Sequence, residues 1–123
     1  PLLYMTRGEA AAFEWINQNC QTDDLILASP HTGLFIPSQT GRRVIYGHPF
    51  ETINAASEKA AVENYYRIAS LDEKSAWSFL QARNVEWVFY GPSEHELGKM
   101  GDLENLTLAY DQGGIQIYQV VAP

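Results

Sequence analysis

Gly47-His48-Pro49-Phe50-Glu51-Thr52 gathers an imidazole, a carboxylate and a hydroxyl into one short segment. Such a set can exchange protons, contribute to a metal site or bind a polar ligand. Ser29-Pro30-His31-Thr32-Gly33 and Gly91-Pro92-Ser93-Glu94 carry the same kinds of group. Each segment follows an apolar run and contains the Gly or Pro of a turn. The candidate ligand-binding residues are His31, Thr32, Gly47, His48, Glu51, Thr52 and Ser93.

The chemistry these residues support is limited. His48 and Glu51 stand in a His-x-x-Glu pattern, and His31 would have to approach from another loop. A metal needs at least three converging ligands, so no metal site is assigned. Ser29 and His31 lack the Gly-x-Ser-x-Gly elbow and an ordered acid partner, so no catalytic residue is assigned. Neither the phosphate-binding Gly-x-x-x-x-Gly-Lys-[Ser/Thr] nor the dinucleotide-binding Gly-x-Gly-x-x-Gly occurs, and no cofactor is assigned. A plainer reading competes throughout: the segments are turns, Thr52 and Ser93 cap the helices they precede, and His48 fixes a neighbouring loop.

The elements that would position these segments follow from hydrophobic periodicity. Thr6-Arg-Gly-Glu9 is a capping box opening a helix to about Asn19, with Ala12, Phe13, Ile16 and Cys20 on one face. Leu25 to Ser29 is a continuous apolar run that reads as a buried parallel strand. Leu34 to Ser38 reads as a brief helix or turn, and Arg43 to Tyr46 as a second strand. A helix spans about Thr52 to Ala69, and a capping box at Ser70-Leu-Asp-Glu73 opens the next. Val85 to Tyr90 is a β-branched and aromatic strand, and Ser93-Glu-His-Glu96 is a further capping box. Leu106–Tyr110 and Ile115–Val120 flank Asp111-Gln-Gly-Gly114 as a β-hairpin.

The expected fold is α/β: a three-layer, Rossmann-like, mainly parallel sheet with a C-terminal antiparallel hairpin. The three polar segments would then emerge at one carboxyl edge, the usual ligand crevice of such sheets.

Composition narrows the function classes. The chain has 123 residues, 46% hydrophobic, and a net charge of −7, which suits one folded domain over residues 1–123. Lys and Arg number eight and are scattered, so nucleic acid is not an expected partner. Cys20 is the single cysteine and reads as a small buried hydrophobe. No apolar run approaches the roughly 18 residues of a membrane span. The opening Pro-Leu-Leu-Tyr, in place of an initiator Met, is what a fragment of a longer protein would show. Tyr65, Tyr66, Trp77 and Trp87 could stack on sugar rings, although their periodicity also fits plain core packing.

The segment Gly41 to Tyr66, G-R-R-V-I-Y-G-H-P-F-E-T-I-N-A-A-S-E-K-A-A-V-E-N-Y-Y, resembles a stretch in the C-terminal soluble domains of certain large bacterial membrane proteins. There a strand with a Gly-His turn, a Glu-Thr helix start and a Lys-containing helix precede a strand ending Tyr-Gly-Pro; here that strand is Val88-Phe-Tyr-Gly-Pro92. The membrane portions of those proteins are similar to lipid-linked-sugar-dependent glycosyltransferases of the dolichyl-phosphate-mannose mannosyltransferase type. The resemblance implies a non-catalytic accessory domain on the extracytoplasmic face, because the family's catalytic acid lies in the membrane part. Its implied partners are the transmembrane part of the same polypeptide and a glycan or lipid-linked sugar. Gly47, His48, Glu51 and Thr52 match the motif, but no role comes with them. The rival expectation is an independent small-molecule-binding domain or enzyme that uses the carboxyl edge.

Overall fold

The computed structural model describes residues 6–45, 54–101 and 104–121, without the side chain of Ser38. The first capping box forms as its residue types require. Glu9 N–H donates to Thr6 Oγ1 at 3.1 Å and Thr6 N–H donates to Glu9 Oε1 at 2.9 Å, opening helix α1 (Arg7–Asn19). Strand β1 (Leu25–Leu27) is buried throughout. It runs into two short helices, α2 (Pro30–Gly33) and α3 (Ile36–Thr40), the latter stopped by Gly41 at φ +72°. Strand β2 is Arg43–Val44, shorter than its apolar run suggests. Helices α4 (Ala55–Ile68) and α5 (Glu73–Ala82) lead to β3 (Trp87–Tyr90), α6 (Pro92–Leu97), β4 (Leu106–Gln112) and β5 (Ile115–Val120).

The five strands form a single sheet in the order β2-β1-β3-β5-β4. β2, β1 and β3 are mutually parallel, as the sequence leads one to expect. β5 pairs antiparallel with both β3 and β4, so the sheet is mixed rather than mainly parallel. The hairpin turns at Gly113 and Gly114, whose φ angles of +62° and +79° are those of a primed two-residue turn, which L side chains resist. Because the chain turns back there, β5 lies inside the sheet and β4 is left at its edge.

Alternating strand residues feed two apolar clusters. Ile26, Phe89 and Ile117 meet Ala12, Phe13 and Ile16 of α1 on one face. Leu27 and Val88 meet Val62, Tyr66 and Leu80 of α4 and α5 on the other. The fold is therefore α/β with helices against both faces of the sheet. Among the described residues no helix is long and apolar enough to cross a membrane.

Two expected caps are placed differently. α5 starts at Asp72, whose carboxylate accepts Ser75 N–H at 3.1 Å and Ser75 Oγ at 2.6 Å. Ser70 cannot serve, because Leu71 and Asp72 N–H still bond Ile68 O from the preceding helix. At the start of α6, Ser93 lies inside the helix and the cap position is Gly91. α4 begins at Asn54, at φ +56° and without a side-chain cap bond; Thr52 lies outside the described residues.

Candidate functional site

From β1 the chain crosses to β2 on one side, then returns to β3 on the other. The carboxyl ends of β1 and β3 therefore flank the point where connections reverse, where open α/β sheets bind ligands. Two side chains fill that point. Glu94, fully buried, accepts Gly91 N–H through Oε1 at 2.8 Å and Ser29 N–H through Oε2 at 2.9 Å. Its carboxylate thus joins the loop after β3 to the loop after β1. Beneath it the Tyr66 hydroxyl shares its proton between Phe89 O at 2.7 Å and Leu27 O at 3.1 Å, linking the same two strands. Burial first, then the nearby Glu94 charge, holds the Tyr66 phenol well above its usual range, so it remains a neutral donor.

Outside this junction lies an open cleft of about 450 Å³, lined by Ser29, Pro30, His31, Glu63, Ser93, Glu96 and Leu97. His31 and Ser93, from two of the segments singled out by type, converge there. His31 sits edge-on to Phe35, with ring centroids 5.6 Å apart. Thr32 does not join them: it is fully buried, accepting from Ser29 Oγ at 3.4 Å. Gly47, His48, Glu51 and Thr52 lie outside the described residues. Glu63 and Glu96 make the rim acidic, which disfavours an anionic occupant. Among the described residues no group of three His, Cys, Asp or Glu side chains is placed to hold a metal.

Type and spacing did not single out the residues that organise this edge. Glu94 appears in the sequence as the last residue of Gly91-x-x-Glu94, a reach-back spacing that becomes legible once the helix is known to start at Pro92. Tyr66 reads as one more apolar position on its helix, since only the fold brings strand carbonyls to its hydroxyl.

A second polar junction joins the opposite ends of the same strands. Asp24 is buried and accepts Trp87 Nε1–H and Gln21 N–H, each at 2.8 Å. Burial tends to raise its carboxyl, but hydrogen bonds from Glu86, the Trp87 indole and Gln21 outweigh this and hold it low. Glu86 is raised, by desolvation first and then by its hydrogen bond and repulsion with Asp24. Cys20 is buried beside them, and burial followed by the Asp24 charge pushes its thiol up to about 12. A thiol so held is a packing group rather than a nucleophile.

The chain matches no family model, and no curated protein matches it. Among solved structures it is similar to the C-terminal globular domain of the oligosaccharyltransferase AfAglB-S2 from Archaeoglobus fulgidus. The identity is 17% and the TM-score 0.70, over 95% of this chain and 99% of that one. The likeness extends to neither the bacterial source nor the mannosyltransferase type of the family that the sequence resembles. Over nearly its whole length, the chain has a fold similar to that of the C-terminal globular domain of an oligosaccharyltransferase.

Proposed function

We propose that this chain is a non-catalytic accessory domain of a membrane glycosyltransferase-like protein. It is attached to a transmembrane part of the same polypeptide and displayed on the extracytoplasmic face, where it organises the membrane part or helps to recognise the acceptor. In this reading the sheet and its two helical faces are a three-layer, Rossmann-like scaffold. The observation that carries it is the likeness, along almost the full length of both chains, to the C-terminal globular domain of an oligosaccharyltransferase. The switch point supports it: backbone amides that would meet a ligand there are already bonded to Glu94.

The test is the coding sequence upstream of Pro1 together with the topology of the full protein. Several apolar spans of about 20 residues, and labelling of this domain from the extracytoplasmic side, are expected. A complete reading frame without such spans would overturn the proposal.

A second reading rests on the cleft that unites His31 and Ser93, and takes the domain as an independent binder of small molecules. It requires a ligand whose binding is lost in His31→Ala while the fold persists.

A further inference from the structure

Of the aromatic residues able to stack on a sugar, most are accounted for by the core. Tyr65, Tyr66 and Trp87 are 1%, 0% and 8% exposed, and the Trp87 indole N–H is engaged by Asp24. Trp77 differs. It is half-buried on α5, packed against the second apolar cluster, and it forms a wall common to two adjoining clefts.

One cleft, of about 450 Å³, is lined by Trp77, Gln81, Asn84 and Glu86 over an apolar floor of Leu80, Val85 and Val120. That volume lies within the range of small-ligand sites, about 300–1,000 Å³. The other, about 180 Å³, adds Glu73, Lys74, Glu104 and Asn105 beside Trp77 and Leu106. Gln81 and Asn84 are exposed, and Asn105 is half-buried. Asn84 holds the left-handed position that ends α5, at φ +55°. That explains an Asn at this position, and the residue is exposed in the lining of the larger cleft.

The lining selects a class of ligand. Each amide offers both donors and an acceptor, which suits hydroxyl groups that also do both. An indole face presents negative quadrupole density to the polarised C–H groups of a pyranose ring. Carboxylates outnumber the single cation, Lys74, in the two clefts, so phosphates and other anions are repelled. We propose that the Trp77 face, with Gln81, Asn84 and Asn105 around it, is a binding site for a neutral saccharide. This goes beyond the accessory role and does not depend on it: the site belongs to this chain alone, whether or not a membrane part is joined to it.

The test titrates the intact chain, labelled with 15N, with neutral monosaccharides and short neutral oligosaccharides, reading the indole N–H resonances. The expected result is a saturable shift of the Trp77 indole at millimolar sugar, with Trp15 and Trp87 unmoved. Gln81→Ala, at an exposed position, should keep the fold and weaken binding about fivefold, the value of one net hydrogen bond. Trp77→Leu removes that resonance, so its binding is read from the backbone amides of Gln81 and Asn84, whose shifts with sugar in the wild type should be absent in the variant. No saturable shift with any neutral sugar overturns the proposal. So does a response to tetramethylammonium or an arginine-rich peptide in place of sugars, which would make this a cation site. A sugar response unchanged in a folded Gln81→Ala protein also overturns the placement.

Discussion

Glu94 carries a full carboxylate where no side-chain cation reaches it among the described residues, and it is satisfied instead by two backbone N–H groups from different strands' loops. Burying a charge costs several kcal/mol unless hydrogen bonds replace its water, and charge-assisted bonds of this kind are about twice as strong as neutral ones. Removing the side chain strands both amides and opens a cavity shaped for a small carboxylate. Glu94→Ala should therefore lose about 3 kcal/mol, the order expected for buried donors left unpaired. Formate or acetate should restore part of the melting temperature of the variant, beyond the effect of chloride at equal ionic strength, and leave the wild type unchanged. A recovery that does not depend on the anion would show that the amides are not aimed at one site. His31 of α2 and Ser93 of α6 line a common cleft. The residue that closes the edge was illegible by type, because a Glu at a helix start is ordinary and only tertiary folding brings Ser29 within its reach.

At the scale of elements, most of the helices and strands could be read from periodicity, whereas their junctions could not. α1 has no basic residue in its last turn. Its C-terminal carbonyls are met by Arg42, which donates to Cys20 O at 2.8 Å and Asn17 O at 3.2 Å from beyond α3. α4 and α6 meet at Gly98, where the limit is space. A Cβ there would stand 2.1 Å from Tyr66 O, while its φ of 170° is extended backbone open to any residue. The Tyr90 hydroxyl also donates to Gly98 O at 2.6 Å. Gly98→Ala should force the end of α6 away from α4 and cost about 1–3 kcal/mol, as overpacking does. Denaturant unfolding of this variant checks it: a midpoint equal to the wild type would mean that the two segments do not touch. Nothing in the sequence around Lys99 announces this contact, since the glycine's neighbour is a carbonyl thirty-two positions earlier in the chain.

For the whole molecule, the two polar junctions hold opposite ends of β1 and β3, and the one at the amino ends responds to pH. Glu86 is raised in the folded state, so its contribution is fully present below its unfolded value and is lost as pH rises through the folded one. Asp24 is lowered, so its contribution is present above its unfolded value and is lost as pH falls through the folded one. The pair therefore stabilises most in a mildly acidic window, where Glu86 is protonated and donates to ionised Asp24. Glu86→Gln supplies a permanent donor without the charge. Its melting temperature should exceed that of the wild type near pH 8, and the advantage should vanish by about pH 4. Parallel curves across that range would show that the two carboxyl groups do not interact. At the same scale, the likeness in fold covers 95% of this chain.

By itself, the sequence determined the α/β class, the parallel run of the first three strands and the glycine-turned hairpin, because each rests on a local period or a local backbone requirement. The burial of Cys20 followed from its place at the end of the apolar face of α1, and the loops after β1 and β3 meet at one edge, while residues 47–52 lie outside the described residues. Tertiary structure alone decided the insertion of β5 beside β3, the start of α6 at Pro92 and the closure of the switch point by Glu94 and Tyr66. It also decided which tryptophan is core and which is surface. These depend on pairings such as Ser29 with Glu94 and Asp24 with Trp87, 65 and 63 positions apart. A periodic pattern records which face of an element is buried, but it carries no record of which distant atom completes a hydrogen bond.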